Sequence, residues 1–169
     1  MSHPLLIGLF HDPRAAAAAA REMRVLGIPR EDLSVVAADH HTEGAIADQI
    51  GGSPGSEMED SPAASRLGEL GGYILAAIAI GLPGTGAIVA AGPLAAEFGE
   101  VAGHAAGDLK VTLIKAGLTE QEAEHWQSRI ESGAVLLGVH ARNLSGNDVE
   151  SALCKYSDGR VVHTQWDDA

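Results

Sequence analysis

The sequence predicts an α+β fold: a ferredoxin-like split β-α-β sandwich interrupted by a Gly/Ala-rich helical hairpin. Three observations predict it. A β-α-β pattern opens the chain and a second one closes it. Between them stands GYILAAIAIGLPGTGAIVAAGPLAA, a stretch without a charged side chain. Two such halves pack as four antiparallel strands with two helices on one face. A flavodoxin-like parallel sheet is the alternative, ranked lower because only four strands are visible. The expected organisation is a first half over 1–39, an acidic Gly/Ser/Pro linker over 40–66, the hydrophobic hairpin over 67–117, and a capped helix with the second half over 118–169.

The elements follow in order. Residues 5–10 form a short apolar run that reads as a buried strand. Asp12 before Pro13 is a helix start, an N-cap carboxylate followed by proline at the first helical position. The alanine run from Ala15 to Ala20 is a strong helix former. Gly27 stands where a C-terminal glycine belongs. Residues 33–38 are rich in β formers and read as the second strand. Residues 40–65 are mobile-linker material in composition, with one helical turn at 45–50. Thr119 with Glu122 is a capping box, with Leu118 and Ala123 as its staple. Ala123, Trp126 and Ile130 then share one helix face. Residues 134–141 read as a strand, 147–156 as a short helix, and 160–166 as the closing strand after the Asp158-Gly159 turn. Gly8 and Gly138 stand at the same place in LLIGLFHD and VLLGVHAR.

Composition narrows the partners. The chain has 169 residues, enough for one domain with an elaboration, and a net charge of −12. A polyanion repels nucleic acid and anionic lipid. The single cysteine, Cys154, forbids an internal disulfide and suits a reducing compartment. No signal peptide is read at the N-terminus. The expected location is cytoplasmic, with membrane association as the second choice.

The charge-free stretch admits three readings. Gly81 to Gly86 matches the glycine frame of a P-loop, but Ala87 and Ile88 stand where Lys and Ser or Thr must bind phosphate and magnesium. A membrane span is broken by Pro83, Gly84 and Gly86, and the next helix carries Glu97, Glu100, His104, Asp108 and Lys110, costly in hydrocarbon. The third reading is a packing hairpin. Gly99, Gly103 and Gly107 are four apart, and Gly68, Gly72 and Ala76 repeat the spacing, so each set forms a small-residue stripe that lets another helix approach. Phe98, Val101, Ala102, Ala105, Leu109 and Leu113 cluster beside the second stripe. The small sandwich has one face already covered, so this hairpin is expected to seek a partner, first of all another copy of itself.

The run LPGTGAIVAAGPLAA, followed by LTEQEAEHWQSRIESGAVLLGVHA, resembles bacterial general stress proteins of the 17M-like kind, small domains with a glycine-zipper-like insert. The resemblance covers most of residues 5–141 and is carried by the Pro-Gly-x-Gly…Ala-Ala-Gly-Pro-Leu run and the Gly-Ala-Val-Leu-Leu-Gly-Val-His strand. It implies a bacterial stress-linked protein and supplies no catalytic residues.

The chemistry-bearing residues are sparse. His40 and His41, between Asp39 and Glu43, form a weak candidate metal site on a loop. Glu97, Glu100 and His104 form a second candidate on one helix face. His11 and His140 stand near strand ends and His163 within the last strand, and no Ser-His-Asp set has local support. Cys154 reads as a small core residue. The expected function is a non-enzymatic structural protein that homo-oligomerises, with no cofactor. A peripheral membrane protein and a metal- or small-ligand-binding module are the alternatives.

Overall fold

The structure, a computed structural model, describes residues 2–11, 13–38, 78–82, 86–94 and 109–167. In chain order the elements are β1 (Ser2–Phe10), α1 (Pro13–Val25), a 3-10 turn (Arg30–Asp32), β2 (Leu33–Ala38), β3 (Ile78–Leu82) and β4 (Gly86–Ala91). They continue with α2 (Leu109–Lys115), α3 (Glu120–Glu131), β5 (Val135–His140), α4 (Gly146–Cys154) and β6 (Val162–Asp167). The chain is a mixed α/β protein with one antiparallel sheet, in the order β3-β4-β2-β5-β1-β6. The four strands β2-β5-β1-β6 come from the two expected halves, interleaved. Every pairing is antiparallel, which overturns the parallel alternative for these strands.

The helical-hairpin expectation is corrected at residues 78–91. The described residues here are β3 and β4, paired antiparallel from Ile78↔Ala90 to Leu82↔Gly86. β4 also pairs with β2, from Val35↔Ala91 to Ala38↔Ile88. Tertiary pairing outweighs the helix propensity of alanine here. Ile80, Ile88 and Val89 favour extended backbone, and β2 would otherwise present a bare edge.

The expectation of one covered sheet face is corrected too. One core holds Leu6, Phe10, Leu33, Val35, Leu137 and Val139 against α1 and α4. The other holds Leu5, Ile7, Leu9, Val36, Ile88, Ala90 and Leu136 against α2 and α3. Strand alternation explains the division, since odd and even positions point to opposite faces. Leu109 and Leu113, read from sequence as part of an apolar arc, are buried in this second core. The arc therefore covers the chain's own sheet, at least over α2.

Helix ends are set by local sequence. After α1, Gly27 has φ +98°, with Gly27 N–H bonded to Arg24 O and Ile28 N–H to Met23 O. Gly117 and Gly133 end α2 and α3 with the same paired bonds, Leu118 N–H to Leu113 O and Ala134 N–H to Arg129 O. This is the Schellman arrangement, and the residue after each glycine is buried. α3 starts with the expected capping box between Thr119 and Glu122. Ala123, Trp126 and Ile130 are its buried face, as their spacing predicts. The Asp12 N-cap lies outside the described residues, as do the linker over 40–65 and its helical turn.

One glycine fixes how the insertion meets the sheet. Gly92 has φ +80°, and a Cβ there would lie 2.0 Å from the Leu33 carbonyl oxygen and 2.8 Å from Ser34 Cα. Gly27 is left-handed too, but a Cβ there meets nothing within 4 Å.

Two outcomes are expected in equilibrium urea unfolding. Gly92→Ala should destabilise by more than about 2 kcal/mol, since backbone strain and a clash with main chain add. Gly27→Ala should lose only about 1 kcal/mol, from strain alone. Equal losses would mean the chain does not cross β2 at Gly92.

Acid should weaken α3. The Thr119 backbone N–H, then Arg160 and the Thr119 hydroxyl, hold the Glu122 carboxyl below its ordinary range. Arg129 does the same for Asp158. A depressed carboxylate contributes stability above its unfolded value and loses it as pH falls through the folded one. The melting temperature should therefore fall below about pH 4.5, the ordinary glutamate value. Glu122→Gln should flatten that fall; an unchanged acid profile would count against the role of Glu122.

Candidate functional site

The second core contains a polar cluster at one end of the sheet. His3 lies on β1 two residues before Leu5, so both face the second core. His140 ends β5 on the face of Leu136, and Ser34 sits on β2 two residues before Val36. The register pairs Leu5 with His140 and His3 with Trp166, making His3 and His140 diagonal neighbours. His140 and Ser34 are 0% exposed and His3 is 6% exposed.

The cluster is hydrogen-bonded in series. His3 Nε2 lies 2.8 Å from His140 Nδ1. The other ring nitrogen of His140, Nε2, lies 3.3 Å from Ser34 Oγ. Ser34 Oγ accepts the backbone N–H of Leu94 at 3.0 Å. Trp166 meets the His140 ring edge-on, with centroids 5.6 Å apart and planes at 82°. Each neutral imidazole has one N–H, so two proton arrangements satisfy the series. In one, His140 Nε2–H donates to Ser34 and His3 Nε2–H donates to His140 Nδ1. In the other, both bonds reverse.

The surrounding chain builds the cluster's roof. Gly138 leaves room for it: a Cβ there would lie 3.1 Å from Leu94 Cδ1 and 3.4 Å from Ser34 Cβ. Gly92 then brings the strap of residues 92–94 down onto β2. Beyond the cluster, Arg142 Nε donates to Asp32 Oδ1 at 2.7 Å and neutralises a carboxylate that is 5% exposed. The sheet end thus has a sealed imidazole pair and, next in the chain, a compensated ion pair.

Gly68, Gly72, Ala76, Gly99, Gly103 and Gly107 lie outside the described residues, as do His40, His41, Glu97, Glu100 and His104. His163 lies on β6, within 2.9 Å of Glu150. It lines an open groove of about 350 Å³ with Pro4, Ser145, Asn147, Thr164 and Gln165. Cys154 is corrected: it is exposed at the last position of α4, off the buried face of Val149, Ala152 and Leu153. Its neighbour Lys155 is engaged with Glu22 at 2.5 Å. Among the described residues, no helix is long and apolar enough to cross a membrane.

Sequence reasoning placed His140 at a strand end but missed its partners. The available signal was a polar residue in each of three apolar strands, at His3, Ser34 and His140. Joining them required the register, which no local pattern supplies. Comparison with family models, with curated proteins and with solved structures found no match.

Ser34→Ala should cost about 1–3 kcal/mol in urea unfolding, because it strands the buried Leu94 N–H. Ser34→Thr, which keeps the hydroxyl, should recover part of the loss. A Ser34→Ala protein as stable as the parent would show that the hydroxyl does not hold the strap.

Proposed function

We propose that the protein is a non-enzymatic structural protein of the bacterial stress response that associates with copies of itself. The observation that carries this reading is on α2. Its inner residues Leu109, Leu113 and Ala116 are buried, while Val111 is 48% exposed and Ile114 is 41% exposed. Val111 and Ile114 are three apart and share the outer face of the helix. The sequence series Gly99, Gly103, Gly107 reaches Val111 at its next step of four. The outer apolar face of α2 offers a second copy a docking surface, and the sequence spacing of four supports close approach there.

The rest of the fold supports a scaffold role. Lys110 bridges α2 to Glu120 at 3.0 Å and Glu124 at 2.6 Å on α3, holding the helix pair together. The order β2-β5-β1-β6, with α1 and α4 packed together on one face, supports a ferredoxin-like core to which β3, β4 and α2 are added. The Ser34–His140 contact is sealed from solvent, which favours a structural role over catalysis.

Size-exclusion chromatography with light scattering tests the reading. The parent protein should elute as a discrete multiple of its 17.4 kDa mass. Val111→Glu combined with Ile114→Glu should give monomer with unchanged circular dichroism, and Gly103→Leu should weaken the assembly by steric clash. A parent protein that is monomeric at micromolar concentration, or a double variant that assembles unchanged, would sink it.

A further inference from the structure

We infer that copies of this chain associate head to tail: the outer side of α1 on one copy packs against the outer side of α2 and α3 on the next. The inference rests on the self-association reading and names the surface that Val111 and Ile114 meet.

The first argument is where the exposed apolar side chains stand. α1 and α4 cover one face of the sheet, and α2 and α3 cover the other. Among the described residues, Val25 at 80% and Leu26 at 38% join Val111 and Ile114 as the exposed large hydrophobics. They fall two to each side of the sheet. Val25 is the last residue of α1. With Arg21 one turn earlier, it lies opposite the buried Ala16, Ala20 and Met23. Leu26 follows it directly. Two apolar patches on opposite sides of one molecule do not meet within it; they meet between copies stacked face to back.

The second argument is the sign of the charge around each patch. Beside Val25 and Leu26, Arg21 and Arg24 are both exposed. Arg24 Nη1 donates to the Ile28 carbonyl, a neutral acceptor. Glu22 is paired with Lys155, and in that pair the ammonium side chain is 59% exposed and the carboxylate side chain 23%. The α1 side therefore presents cations. On α2 and α3 the order reverses. Lys110 is 23% exposed, while its partners Glu120 and Glu124 are 76% and 62% exposed. One withdrawn ammonium against two exposed carboxylates leaves that side anionic.

The third argument is specificity. An α1 side against its own copy would oppose arginine to arginine, and an α2–α3 side against its own copy would oppose Glu120 and Glu124 to themselves. Like-charge apposition is costly. Head-to-tail contact instead sets cations against anions and Val25 and Leu26 against Val111 and Ile114. A contact between two different surfaces is heterologous, and it closes into a ring when the rotation between copies returns on itself.

The test is sedimentation velocity on the full chain at micromolar concentration, with circular dichroism as the check of folding. Arg21→Glu with Arg24→Glu, and separately Glu120→Lys with Glu124→Lys, should each weaken association at least tenfold. Mixed in equal amounts, the two variants should recover it, because each altered side then faces its complement and the unaltered sides still match. Raising salt from about 0.1 M to about 1 M shortens the screening length from about 10 Å to about 3 Å and should weaken the parent assembly. Val25→Asp changes a side chain that stands in solvent, so it decides the matter if a charge variant fails to fold; it too should weaken association at least tenfold. Folded Arg21→Glu with Arg24→Glu and Val25→Asp proteins that associate as tightly as the parent would overturn the inference. If Val111→Glu with Ile114→Glu still gave monomer, self-association through α2 would survive that result. Charge variants that stay apart when mixed would also overturn the inference, and a monomeric parent would remove both readings.

Discussion

The central strands of this sheet are apolar on both faces, and the rest of the architecture answers that constraint. In β5 every residue from Val135 to His140 is buried, and in β1 Leu5, Leu6 and Ile7 are fully buried in succession. A strand of that kind needs a layer on each side. The outer segments of the chain supply only one, α1 and α4. The second comes from α2 and α3, with β4 carrying Ile88 and Ala90 into the same core. β4, α2 and α3 therefore complete the second core.

Small residues make this covering tight. Gly92 lets the strap touch the β2 main chain, Gly138 admits Leu94 and Ser34, and Gly117 turns α2 into α3 against Thr164. A Cβ at Gly117 would lie 2.7 Å from the Thr164 hydroxyl. The alanines of α1 act alike, with Ala16, Ala19 and Ala20 fully buried. Such a core gains little apolar area per residue, and recovers contact through closely approaching backbones. Leu94 closes over the same sheet end, its N–H on Ser34 beside the buried histidine pair. Cover of the second core and enclosure of the hydrogen-bonded histidine pair are thus two results of one strap.

Local chemistry was legible in the sequence; long-range pairing was not. β2 spans the residues expected of it, and the Thr119–Glu122 box and the Gly27 turn stand as read, because each rests on neighbours a few residues apart. The stretch over 78–91 was misread because alanine and glycine are common to helix interfaces and to closely packed strands. The deciding factor was the edge of β2, whose partners in β4 lie from Ala38↔Ile88 to Val35↔Ala91, more than forty residues away in the chain. Cys154 was misread because it lies off the face of α4 that Val149, Ala152 and Leu153 bury. The histidine cluster was invisible for the same reason as the β-hairpin: His3, Ser34 and His140 meet only when three strands are in register. The stripes of glycine and the acidic candidates lie outside the described residues, so their part in assembly stands as proposed above.

The measurement that tests this account most directly is residue-resolved amide hydrogen exchange across residues 78–94, read with backbone chemical shifts. Pairing of β4 between β2 and β3 entails extended shifts and slow exchange through residues 86–91, comparable to β5 on the far side of β2. Helical shifts in this segment, or exchange as fast as that of an unpaired chain, would contradict the sheet order. The second core, the strap and the enclosed histidine pair would then fall with it.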